Sequence, residues 1–131
     1  MVTVLDSGST QLMLSTDASR WCEMELAFDG RRLPIGADVE YIVIERLLRG
    51  LRDSLTGPSA GSIGGIEVVW ILSLAERHTS VYASQYEGKR ILFFQDADGN
   101  LLTRIELADT DRQRWIRELQ AIRKLGGGDN E

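Results

Sequence analysis

The chain has 131 residues, 43% of them hydrophobic, enough for one domain with its own core. Twenty acidic residues against fifteen basic give a formal charge of −5 and a pI near 4.9. That argues against a general nucleic-acid binder, whose affinity comes from neutralised phosphates. The single cysteine, Cys22, cannot form an internal disulfide. The start carries no basic stretch followed by an apolar one, and no apolar run approaches the roughly 20 residues a membrane span needs. We therefore expect a cytoplasmic protein that does not enter the membrane.

In chain order, residues 1–20 are weakly patterned, with a short strand at Leu12 to Leu14. Residues 22–28 alternate: Cys22, Met24, Leu26 and Phe28 face one way, Glu23 and Glu25 the other, as in a strand with one wet face. Asp29-Gly30 is a hairpin turn, and Pro34 limits the return strand, Arg31 to Ile35, to an edge or a strand end. Asp38 is placed to cap a helix whose apolar stripe is Tyr41, Ile44, Leu48, Leu51 and Leu55. Arg46, Arg49 and Arg52 fall near its opposite side, and Gly50 weakens it. Residues 57–65, rich in Gly and Ser, read as a mobile linker.

Glu67 to Leu74 follows, an apolar run expected at the centre of a sheet with both faces buried. Thr79 to Tyr86, Arg90 to Gln95 and Leu101 to Leu107 complete a four-stranded meander, turning at Glu87-Gly88 and Asp98-Gly99. The last helix opens at Asp109 or Thr110, where Thr110 and Gln113 fit a capping box. Trp115, Ile116, Leu119 and Ile122 line its buried side. The tail, 126–131, is expected to be disordered.

These elements predict an α+β domain over residues 1–125: a twisted antiparallel sheet carrying two amphipathic helices, in the order βββ-α-ββββ-α. Halves 1–56 and 66–125 share a pattern. At an offset of 71, Ile44, Leu48 and Leu51 fall on Trp115, Leu119 and Ile122, which makes the halves candidates for a duplication.

No catalytic or metal constellation emerges. His78 is the sole histidine, in an expected turn, and a base or ligand needs partners. Cys22 reads as a small buried hydrophobe. Asp96 to Asn100 lacks the EF-hand spacing, and the glycines of 57–65 lack the phosphate-loop ending. We therefore expect no cofactor and no enzymatic activity. Tyr82 and Tyr86 point the same way along one strand. Covered by a helix, they are core, which the need of two helices for a sheet surface favours. On an open face they could stack bases or anchor a protein. Arg46, Arg49 and Arg52 on one helix, and Arg114, Arg117 and Lys124 on the other, are solvated rows or an anion-binding face.

The element order resembles the strand-rich, helix-terminated repeats of single-strand-binding proteins of the Whirly and Pur type, across most of the chain. That resemblance implies a nucleic-acid partner. The acidic composition points elsewhere, to a small binding protein of the inhibitor, immunity or chaperone kind acting through a protein partner, because acidity steers association with basic surfaces. The wide apolar face of the first helix also admits a homodimer.

Overall fold

The computed structural model describes residues 2–15, 21–40, 42–55, 57–74 and 78–125. Tyr41, Arg20, residues 75–77 and the tail 126–131 lie outside them, as do the side chains of Cys22 and Asp38.

Four strands form the first sheet: β1 (Val2–Asp6), β2 (Thr10–Leu14), β3 (Trp21–Phe28) and β4 (Arg31–Glu40), hydrogen-bonded in that order and antiparallel. Helix α1 (Ile42–Arg52) follows. A short hairpin, β5 (Ser62–Ile63) and β6 (Ile66–Glu67), leads into β7 (Val69–Leu74), β8 (Thr79–Tyr86), β9 (Lys89–Gln95) and β10 (Leu101–Ala108). The last four make the second antiparallel sheet, and α2 (Asp109–Leu125) ends the described chain. The molecule is thus α+β, and each half is a four-stranded meander followed by a helix.

The first half has one more strand than expected. β1 shows no alternation because a bulge between Thr3 and Leu5 turns both Val4 and Leu5 inward. Both residues are fully buried, so the period of two that marks a strand is lost. β4 runs to Glu40, twice the expected length, and Asp38 lies inside it rather than capping α1. Pro34 is tolerated because β4 is an edge strand. The Asp29-Gly30 turn forms as read, with φ of 53° and 71°, the left-handed pair that a tight two-residue hairpin demands. The Asp96 carboxylate accepts from the backbone N–H groups of Asp98 and Asn100 at 3.0 and 2.9 Å, so the calcium-like loop is an Asx turn.

The helices pack on each other and reach across the halves: α1 lies against β7, and α2 against β1 as well as β9 and β10. β1 lies beside β10 and β4 beside β7. Ile44, Leu48 and Leu51 of α1 and Trp115, Leu119 and Ile122 of α2 share one core with the inner faces of both sheets. Gly50 has a packing reason: a Cβ there would stand 3.2 Å from the Ile71 side chain on β7. Gly50→Val should therefore cost about 2 kcal/mol of stability by forcing α1 and β7 apart, measured by urea unfolding. An unchanged midpoint would show that β7 yields freely.

Two cationic side chains of the second half close the end of α1. Arg90, 5% exposed, donates to the carbonyls of Gly50 and, at 3.0 Å, Asp53, and to Gln85 Oε1 at 2.9 Å. Arg112 donates to the Leu51 carbonyl at 2.6 Å and pairs with Asp109. These are carbonyls that a helix terminus leaves without partners. Burial, and then the nearby Arg112 charge, pull the Arg90 pKa below its usual value, while Asp109 and Asp53 oppose the shift. α2 itself begins at Asp109 directly after β10, and no Thr110–Gln113 capping pair forms among the described residues.

Candidate functional surface

The inner faces of both sheets are taken up by the core, so exposed chemistry is confined to their outer faces. The second sheet has the richer one. Alternation along β8 sends Val81 and Ala83 inward and Ser80, Tyr82, Ser84 and Tyr86 outward. Their cross-strand neighbours on that face include Trp70 and Ser73 of β7 and Ile91 and Phe93 of β9.

Among the described residues, no helix covers this face. The hairpin β5–β6 lies over part of the face instead. Ile63 and Ile66 pack with Tyr82 on Val68, Ile91 and Phe93, a second small core separate from the first. Backbone bonds between Ala60 and Val68 (2.8 Å) and between Val68 and Gly61 (3.0 Å) continue the hairpin's own ladder to the residue before β7. The segment expected to be a linker is therefore folded back onto the sheet. Glycines invite a linker reading, whereas here they serve the turns of a hairpin.

Trp70 and Tyr86 remain open, each 47% exposed, and Tyr82 is half-buried between them and the hairpin. The expectation of a doubly buried central strand at 67–74 is thus corrected. β7 is the edge of its sheet, α1 fills its inner side, and Trp70 stands on the outer side. The reading of Tyr86 as core is corrected with it. Trp70 is held in place: its indole N–H donates to Ser73 Oγ at 3.0 Å, and Ser73 in turn hydrogen-bonds Ser80 Oγ at 3.1 Å. The Arg46 guanidinium reaches from α1 to 5.9 Å from the Trp70 ring centroid.

The structure separates the other expected contact residues. Arg49 is exposed one turn beyond Arg46, and Arg52 pairs with Asp53 at 3.1 Å. On α2, Arg114 lies over its own neighbour Trp115, 4.6 Å from the ring centroid, and Arg117 is exposed. Of the two Arg rows, only the α1 row meets an exposed aromatic among the described residues. Trp70 was missed from sequence because its apolar neighbours masked the strand's position. The alternation Trp70, Ser73 against Leu72, Leu74 was the available signal, obscured by the bulge between Trp70 and Leu72.

A cleft of about 360 Å³ opens where the halves meet, between Ser7, Ser9, Thr10, Phe28 and Asp29 on one side and Thr103, Arg104 and Glu106 on the other. Its floor is tied by a Thr10–Thr103 hydroxyl bond of 3.0 Å, and its Arg104 and Glu106 pair at 3.1 Å. His78 stands exposed in the turn before β8. Among the described residues no group of three or more His, Cys, Asp or Glu could hold a metal ion, and no helix is long and apolar enough to cross a membrane. No protein-family model, curated protein or solved structure matches the chain.

Proposed function

We propose that this protein is a non-enzymatic binding module that engages a protein partner through the outer face of its second sheet. The observation that carries the reading is the exposed Trp70, fixed by Ser73 and Ser80 and aligned with Tyr82 and Tyr86. Trp, Tyr and Arg are the residues that dominate protein-binding hot spots. A surface of rigid aromatics set among small hydroxyls is also the composition that binding loops of antibodies use, because it supplies contact area at low entropic cost. The charged groups at the far end of the face are mutually paired, with Glu106 between Lys89 at 3.7 Å and Arg104 at 3.1 Å. That leaves few cations to track a phosphate backbone.

Partner capture from the native cell, with a photo-crosslinking residue at position 86, followed by titration of the purified pair, tests this. Trp70→Ala should weaken that complex by roughly 30-fold, the scale of a hot-spot residue, with the thermal midpoint nearly unchanged. A partner whose affinity ignores both Trp70 and Tyr86 would sink the reading.

A second reading is supported by the paired strand-meander-helix halves with aromatics on a sheet: binding of single-stranded nucleic acid by base stacking. It requires salt-sensitive binding of mixed single-stranded oligonucleotides, lost on Trp70→Ala.

A further inference from the structure

Resting on the protein-binding reading, we infer that the partner presents an acidic segment, with a carboxylate seated on Arg46 and Arg49 and an apolar or aromatic side chain on Trp70. The argument begins with the carboxylates of the α1 region. Glu45 is taken by Arg123 of α2, at 2.9 Å, and Asp53 by Arg52. Arg46 and Arg49 have no ion pair among the described residues, and both are exposed. They sit where α1 meets the edge of the second sheet, and Arg46 lies against Trp70. The α1 surface thus leaves two guanidinium groups, which favour bidentate carboxylate contacts, beside the exposed Trp70.

The overall charge of −5 does not cancel this local preference. At physiological salt, charges more than about 8 Å away are largely screened, and the near carboxylates Glu45 and Asp53 are already paired with Arg123 and Arg52, so a seated carboxylate meets two unpaired cations. The same number limits nucleic acid. The two unpaired cations beside Trp70 neutralise about two phosphates, too few for the salt-dependent affinity of a strand-tracking groove on this face. An acidic peptide needs only one or two well-placed carboxylates, and apolar contact with Trp70 supplies the remainder.

A displayed library of random linear peptides, selected against the intact protein, tests the inference. Selected peptides should carry Asp or Glu next to an aromatic or apolar residue. Their affinity should fall about 10-fold or more in the Arg46→Glu, Arg49→Glu double variant, and return when the peptide's acids are changed to Lys. Both side chains are exposed, so the variant should melt as the parent does; if it does not, Arg46→Gln with Arg49→Gln replaces it. Peptides that need Trp70 but show no acidic enrichment, or that ignore the double variant, overturn the acidic segment and leave the binding face standing. Failure to select any peptide lost on Trp70→Ala overturns both. Single-stranded oligonucleotides that bind more tightly than the selected peptides and release on Trp70→Ala also overturn both.

Discussion

Arg90→Met should lower the unfolding free energy by about 3 kcal/mol, the largest effect expected of any polar substitution in this chain. The side chain does more than occupy space. It satisfies the Gly50 and Asp53 carbonyls and Gln85 in a buried setting. A methionine of similar length fills the volume but leaves those carbonyls without donors, and buried acceptors left unmade cost about 1–3 kcal/mol each. Arg90→Lys retains the charge yet cannot span three acceptors with a planar fork, so its loss should be intermediate. Urea unfolding and thermal melting measure both. If Arg90→Met were neutral, Arg112 or water would have to serve the end of α1 alone, and the account of this cap would fail.

The second large effect is a contrast between neighbours. Phe93 and Phe94 are both fully buried, yet they face opposite sides of β9. Phe94 belongs to the main core beneath the helices, where closely packed surroundings cannot collapse into a void, so Phe94→Ala should cost about 4 kcal/mol. Phe93 lies under the β5–β6 hairpin, which has two residues per strand and can settle into the gap. Phe93→Ala should cost nearer the lower end of the range, about 3 kcal/mol. It should also abolish hydrogen-exchange protection at the Val68 amide, whose bond to Gly61 depends on the hairpin staying seated. Equal exchange at Val68 in the two variants would show that the hairpin is held by something other than Phe93.

Much of the architecture was legible because burial leaves periodic traces. The stripes Ile44, Leu48, Leu51 and Trp115, Leu119, Ile122 follow helical spacing and are all core. The strand at Thr79–Tyr86 was readable to the residue, since its hydroxyls and aromatics alternate with Val81 and Ala83. What escaped was written in bulges and in tertiary placement. β1 was invisible because its bulge buries consecutive residues. Trp70 was assigned to the interior because an apolar run does not say whether its strand is central or an edge. The hairpin looked like a linker because Gly-Ser composition reports backbone freedom, not what the backbone will cover. The surface followed the same logic: Tyr86 and the α1 arginines could be named as candidates, but only the edge position of β7 brings Trp70 and Arg46 together.

The cross-capping of α1 also has a meaning in time. Asp53 and Arg90 are 37 residues apart, and Leu51 and Arg112 are 61 apart. A ribosome adding roughly 5–20 residues per second delivers the first half several seconds before the groups that close its helix. During that interval the first meander and α1 have neither their terminal donors nor the opposing sheet that shares their core. The first half therefore emerges as an unfinished object, and its commitment to the native state waits on the second.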